Sequence, residues 1–512
     1  PSQCNIGRIG SLVRDVDVNK NGLFSDDVAA RLDFGQVLRT RAWSDRRIYT
    51  SYNATDANFC ADSTPCTGPD TVMTAIQSWT FPGNGTTPLV AGTDYDFMLG
   101  NQAAGFANGV ARGDTRNNAI AYALTGGAAV PLTDPFKLMD IANSRPVVVG
   151  APTGIGEDVT RWGHFRGMQK RRFATNGGDG VFGPLTTVGL RDEMVYIGGN
   201  DGVLHAFLSR RHNPSLPAQP GRVAKYDWTT PSTCAIDTGT PVSVQNPQSN
   251  CLGMELWGYT PKLLHNFWGS IRGGHYFMVD GSPIVSDVLF TKGNNAPLPP
   301  VGATACDQDG EAACNTQWEY RTVLLQCLGG GGPGCFALDV SNPYDPRLLW
   351  ERSLNSGVTV RQTTTSRPQI ARMRKFVGGV GIPYYVALMG GGMGETQAAA
   401  SRGTFIAVGL EDGLVKYSDP LFPANAAFAG APSCLDTDND SFTDTCYIST
   451  QDASIYKVRF PNGDPTQPMT MSLFFDGRAR LLALTLPGSS GPGAVRSYSR
   501  VVATLDRNRD LR

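Results

Sequence analysis

Four aspartates recur at close, mostly alternating positions in Asp436-Thr-Asp438-Asn-Asp440-Ser-Phe442-Thr-Asp444. With a backbone carbonyl offered at Phe442, this spacing matches the first, third, fifth, seventh and ninth positions of a calcium loop. Ca2+ is a hard cation that takes oxygen ligands, and carboxylates this close repel one another unless a cation joins them. Cys434 and Cys446 bracket the segment. A disulfide between them would hold the loop closed and lower the cost of ordering it. The plainer reading is a solvated acidic loop.

A second run, Asp17-Val-Asn19-Lys-Asn21-Gly22-Leu23-Phe-Ser25-Asp26-Asp27, follows the first half of an EF-hand loop, with glycine at the sharp turn. Val28 stands where that loop carries its bidentate glutamate, so Asp27 or Asp26 would have to substitute. Calcium, held by Asp17, Asn19, Asn21, Leu23 and Asp27, and an Asx-rich turn both fit. Arg112-Gly113-Asp114 is an RGD tripeptide that could offer a cation and a carboxylate to an integrin-type receptor. An ordinary glycine turn is the simpler account. Asp307 with Asp309, and Asp506 with Asn508 and Asp510, read as turns.

Nothing in the chain assembles the parts of a catalyst. There is no G-x-S-x-G elbow, no H-E-x-x-H and no Walker loop. Gly329 to Gly332 lack the Lys and Ser/Thr of a phosphate cradle and read as a wide hairpin turn between Cys327 and Cys335. His205 lies in a strand and reads as a packed residue. The expectation is a protein that is not an enzyme. Lys and Arg total 44 against 45 Asp and Glu, for a net charge of -1. That balance gives no basic face for nucleic acid or anionic lipid, and no stretch is apolar enough to span a bilayer.

The elements that must position these residues are short strands. The chain has 60 glycines and 34 prolines in 512 residues, which favours many turns over long helices. From about residue 111, apolar strands alternate with tight turns. Val195-Tyr-Ile-Gly-Gly-Asn-Asp-Gly-Val-Leu-His-Ala-Phe207 is the clearest hairpin. Phe405 to Tyr417, Cys446 to Phe460 and Leu473 to Leu486 echo it. An Ala-aromatic or Ala-aliphatic pair precedes a strand ending in Leu-Trp twice, at Trp257 and Trp350. A Ser and a Pro precede apolar strands at Ser144-Arg-Pro146, Ser282-Pro283 and Ser366-Arg-Pro368, and proline suits the start of a strand. This is the rhythm of propeller blades, favoured over a β-sandwich. Residues 1–110 read as an irregular connecting segment with one helix around Asp26 to Thr40; residues 111–512 read as the propeller.

Ten of the 11 cysteines fall into close pairs: Cys60 with Cys66, Cys234 with Cys251, Cys306 with Cys314, Cys327 with Cys335, and Cys434 with Cys446. Short separations read as stapled surface loops made in an oxidising compartment, although spacing alone does not fix the connectivity. Cys4 is left over. The opening residues do not read as a signal peptide, and the chain reads as part of something longer.

In combination these motifs resemble the C-terminal region of the PilC/PilY family of type IV pilus tip-associated adhesins. The resemblance covers about 111 to 460. It is carried by Leu138-Met-Asp140-Ile-Ala-Asn-Ser-Arg-Pro146, the Val195–Phe207 hairpin, Glu255-Leu-Trp257, Tyr276 to Pro283, Cys335-Phe-Ala-Leu-Asp339 and Met389 to Glu395. It implies an all-β fold, a modified seven-bladed β-propeller preceded by an irregular N-terminal segment. It further implies a calcium-binding adhesin at the pilus tip or cell surface, exported through the periplasm. Such a protein supports pilus assembly, regulates retraction in twitching motility, and meets minor pilins or tip subunits and a host or abiotic surface. The family's propeller calcium site resembles Asp436, Asp438, Asp440, Phe442 and Asp444, with Asp440 where relatives often carry Asn. An RGD-like stretch recurs where the family's propeller starts, which suits a structural role for Arg112 to Asp114. Two competing readings are a quinoprotein dehydrogenase-like propeller, which lacks its Cys-Cys dipeptide here, and a pure pilus-assembly scaffold.

Overall fold

The computed structural model describes residues 12–15, 32–40, 46–52, 72–75, 100, 137–150, 192–212, 226–227, 252–267, 275–290, 319–332, 334–341, 343, 346–353, 362–364, 366–391, 393–394, 404–419, 428, 430–450 and 453–477. Among these the fold is all-β apart from one short helix, Phe34–Thr40, and two 3-10 turns, Lys262–Phe267 and Pro461–Gly463. Among the described residues, no helix is long and apolar enough to cross a membrane.

Four sheets, each built on a four-stranded antiparallel meander, follow one another along the chain. In the first, the strands Val147–Val149, Glu193–Gly198, Leu204–His212 and Glu255–Tyr259 pair in sequence order. The second contains Ile284–Phe290, Glu319–Cys327, Gly334–Asp339 and Arg347–Ser353. Gln369–Val377, Val380–Gly391, Thr404–Gly409 and Val415–Asp419 make the third. Ser433–Leu435, Thr445–Ser449, Ile455–Arg459 and Thr470–Phe475 make the fourth. Each is an up-and-down meander, the arrangement short turns permit. Ile48–Tyr52 extends the first sheet by pairing in parallel with Glu255–Tyr259, and Val72–Ala75 pairs with Ile48–Tyr52 in turn. No closed sheet joins the four among the described residues.

The hairpins expected within Val195–Phe207, Phe405–Tyr417 and Cys446–Phe460 form where the turn chemistry placed them, while the run expected from Leu473 to Leu486 continues past 477 outside the described residues. Asn200-Asp201-Gly202 closes the first, with Gly202 at φ +84°, a conformation that favours glycine. Gly329 to Gly332 connect Glu319–Cys327 to Gly334–Asp339. A Cβ on Gly331 would lie 1.7 Å from the carbonyl oxygen of Met278, so that position admits no side chain. Of the helix expected near Asp26 to Thr40, Phe34–Thr40 is observed, and 16–31 lie outside the described residues.

Among the described residues the core forms three clusters, each between successive sheets. Tyr196, Phe207 and Trp257 meet Leu324, Phe336 and Leu338 between the first and second sheets. Val323, Leu325 and Trp350 meet Tyr385, Ala387 and Met389 between the second and third. Tyr384, Val386 and Leu388 meet Phe428, Ile448 and Val458 between the third and fourth. Successive strand residues point to opposite faces. Tyr384 to Met389 therefore feed two clusters alternately, which is why these strands read as continuous apolar runs rather than apolar-polar alternation.

Two recurring polar bonds tie neighbouring sheets. The indole N–H of Trp257 donates to the Pro343 carbonyl at 2.8 Å, and that of Trp350 donates to the Leu410 carbonyl at 2.9 Å. In each case a fourth-strand tryptophan reaches the turn before the fourth strand of the next sheet. Ser282 Oγ accepts from the Arg145 N–H at 3.1 Å, and Ser366 Oγ donates to the Gly430 carbonyl at 2.9 Å. Ser144 and Ser366 also accept the N–H of Gly198 and Gly390 within their own sheets. These contacts give the Ser-Pro and Leu-Trp signals their physical content. Apart from the bond at exposed Arg145, they satisfy backbone groups of buried residues that would otherwise be unpaired.

Candidate metal centre

The loop 436–444 connects Ser433–Leu435 to Thr445–Ser449 in the fourth sheet. Cys434 and Cys446 lie directly opposite each other in the ladder and form a disulfide, so the loop's two ends are joined covalently as well as by strand pairing. Asn439 and Ser441 take φ of +63° and +71°. These two left-handed residues curl the chain, and its N–H groups turn inward. Asp436 Oδ1 accepts from the N–H of Asn439 at 2.6 Å, and its Oδ2 from Ser441 at 2.8 Å. At the far end, Asp444 accepts from the Thr437 N–H at 3.1 Å and from its hydroxyl.

The result brings three of the expected carboxylates together. Asp436, Asp438 and Asp444 each offer an oxygen, and these oxygens lie within 4.8 Å of one another. Calcium sits at about 2.3–2.6 Å from its ligands, so oxygens at such separations can share one ion. The chemistry fits as well, since every donor in the cluster is a hard carboxylate oxygen. What burial it has, then the neighbouring charges of Asp440 and Asp444, raise the Asp438 carboxyl above its ordinary range. A divalent cation would relieve that strain of like charges.

Asp440 and Phe442 are placed differently. Asp440 turns one oxygen to an ion pair with Arg374, while the other accepts the Phe442 N–H at 2.9 Å. The Phe442 ring lies against two guanidinium groups, with Arg372 Cζ 4.4 Å and Arg374 Cζ 4.3 Å from its centroid. Sequence reading did not single out these two arginines as site residues. Their signal was the alternation in Arg372-Met-Arg374, which puts both on one face of Gln369–Val377.

The other expected sites lie outside the described residues: Asp17, Asn19, Asn21, Leu23 and Asp27, and Arg112, Gly113 and Asp114. So do the cysteines at 60, 66, 234, 251, 306 and 314. Cys327 and Cys335 are disulfide-bonded across the ladder, as their spacing suggested.

His205 is packed, as expected, but within a buried charge network. Its Nδ1 meets Glu255 at 2.6 Å and its Nε2 meets Asp201 at 3.0 Å, while Glu255 also pairs with Arg46 at 2.7 Å. All four side chains are buried. Burial alone would lower the imidazole pKa; the two carboxylates outweigh it and raise it to about 9. Burial opposes the Glu255 charge too, yet Arg46 and His205 hold that carboxyl well below its usual range.

No family model matches the chain. Among curated proteins it is similar to the type IV pilus biogenesis factor PilY1 of Pseudomonas aeruginosa, 24% identical over 361 residues, covering 69% of this chain and 24% of that protein. It is also similar to a PilY1 homolog of Xylella fastidiosa, 27% identical over 234 residues, covering 46% of this chain and 13% of that protein. The chain thus spans a quarter or less of the length of these relatives. The crystal structure of the P. aeruginosa PilY1 C-terminal domain aligns with 52% of this chain and 38% of that one, at 20% identity. The TM-score of that superposition is 0.30. Over roughly half to two thirds of its length, the chain is thus similar to PilY1-type type IV pilus biogenesis factors.

Proposed function

We propose that this chain forms the calcium-binding, non-catalytic propeller of a type IV pilus tip adhesin. The observation that carries the reading is the convergence of Asp436, Asp438 and Asp444 in a loop closed by the Cys434–Cys446 disulfide. Asp436, Asp438 and Asp444 would hold Ca2+, with Asp440 and the Phe442 carbonyl completing the set expected from the sequence. Bound calcium would supply charge neutralisation and rigidity at one edge of the fourth sheet. The four successive meanders, the first three tied by equivalent tryptophan bonds, support a radial repeat. In this reading they are four blades of a seven-bladed propeller that residues 111–512 build.

The relatives are named as pilus biogenesis factors. Their named role carries over here as support of pilus assembly; surface attachment, control of retraction, and minor pilins or tip subunits as partners follow from the family resemblance of the sequence. The protein would be exported through the periplasm to the pilus tip or cell surface. The paired cysteines support an oxidising destination.

The test is complementation of a deletion strain of the encoding bacterium with the full-length protein or its Asp436→Ala/Asp444→Ala variant. Both should be exported. The variant is expected to lower surface piliation or twitching; wild-type piliation and motility with the variant would remove calcium from the mechanism.

A further inference from the structure

The loop 436–444 belongs to the fourth sheet, yet its most specific side-chain contacts are with the third. Arg374, on Gln369–Val377, pairs through its guanidinium with Asp440 Oδ2. Arg372, two residues earlier on the same face, donates to the Ser441 carbonyl, and its own carbonyl accepts the Thr443 N–H at 2.7 Å. Between them the Phe442 ring stacks under both guanidinium groups. Such contacts are favourable for arginine, whose planar charge is weakly hydrated.

Asp440 is therefore subject to two demands. It stands at the fifth position of the calcium-loop spacing, yet one oxygen is held by Arg374 and the other accepts the Phe442 N–H. The three carboxylates that converge are those of Asp436, Asp438 and Asp444, without it. The guanidinium also places a fixed positive charge beside the cluster, and arginine does not lose that charge at any physiological pH.

We propose that Arg374 is a built-in competitor of the cation, which sets the loop's calcium affinity and couples occupancy to the contact between the third and fourth sheets. The inference rests on the calcium reading of the loop. Arg374 holds Asp440 away from the converging carboxylates and repels the incoming ion. When Ca2+ binds, Asp440 is drawn toward it and the pair with Arg374 weakens. Linkage makes this reciprocal: the factor by which Arg374 weakens calcium binding is the factor by which calcium weakens the Arg374 contact. The Arg374 and Asp440 side chains are 20% and 32% exposed, so the competition is screened by salt. A low-affinity loop of this kind would respond to calcium at the concentrations found outside cells, whereas a tight one would be permanently filled.

The experiment is calorimetric titration with Ca2+ at low ionic strength of the intact chain, Arg374→Gln and Arg374→Lys. Arg374→Gln should tighten binding about tenfold, equivalent to about 1.4 kcal/mol. Arg374→Lys keeps the charge and should stay close to the unaltered protein. As a second readout, the rise in unfolding temperature on adding calcium should be larger for Arg374→Gln. Unchanged or weaker binding in Arg374→Gln, with the unaltered protein binding normally, overturns the competition and leaves the arginine as a loop-ordering residue. Equal tightening by Arg374→Lys also overturns it, because the charge is then irrelevant. Absence of binding in the unaltered protein overturns the calcium reading itself, and the inference with it.

Discussion

Glu255 faces two buried cations at once, Arg46 at 2.7 Å and His205 at 2.6 Å. Its replacement by glutamine would remove that counter-charge from Arg46 and leave His205 with Asp201, in a site closed to water. Breaking a buried pair by removing one partner costs about 3–5 kcal/mol, and Glu255→Gln is expected to lower stability in urea by that order. His205 adds a pH signature. Its pKa is raised from 6.5 to about 9 on folding, so its stabilisation is complete below 6.5 and is lost as pH rises through about 9. The urea midpoint should therefore fall between pH 7 and about pH 10, and His205→Gln should flatten that fall.

At the scale of elements, stability rests on the joints between sheets. Trp350 donates to the Leu410 carbonyl from full burial. Trp350→Phe keeps most of the apolar volume but leaves that carbonyl without its partner, at a cost of about 1–3 kcal/mol. The test is the unfolding midpoint against Trp257→Phe, the equivalent change one sheet earlier, which should cost a similar amount. The Cys434–Cys446 disulfide closes the candidate calcium loop. Opening it by Cys434→Ser/Cys446→Ser should cost about 2–4 kcal/mol and weaken calcium binding, both measurable on the oxidised protein.

These elements also show what the chain's order of residues reveals and what it conceals. The Val195–Phe207 hairpin, the Leu-Trp strands and the Ser-Pro strand starts were legible because turn chemistry and strand period are local. The pairing of Cys434 with Cys446 was legible as spacing, and the ladder supplies the register that makes it possible. Arg374 and Asp440 lie 66 positions apart, and Arg46 and Glu255 lie 209 apart. Contacts of that kind depend on which sheets become neighbours, and no local pattern reports it. Phe442 illustrates the difference within a single residue: its backbone role follows from loop position, whereas the role of its ring depends on two arginines in another sheet.

At the scale of the whole molecule, the four meanders share three core clusters and a repeated set of tryptophan and serine bonds. The candidate calcium loop sits at one of these joints, between the third and fourth sheets. Ligand that binds only the folded state stabilises it by about 2.7 kcal/mol at a hundredfold excess over Kd. Calcium should therefore raise the unfolding temperature in proportion to its logarithmic concentration, and chelation should reverse the rise. The most direct measurement is calorimetric calcium titration of the intact chain beside Asp436→Ala/Asp444→Ala. The account predicts one saturable binding event that disappears in the variant, with any event left over assigned elsewhere, Asp17 to Asp27 being the first place to look. Absence of binding in the intact chain, or an unaltered titration in the variant, would contradict it.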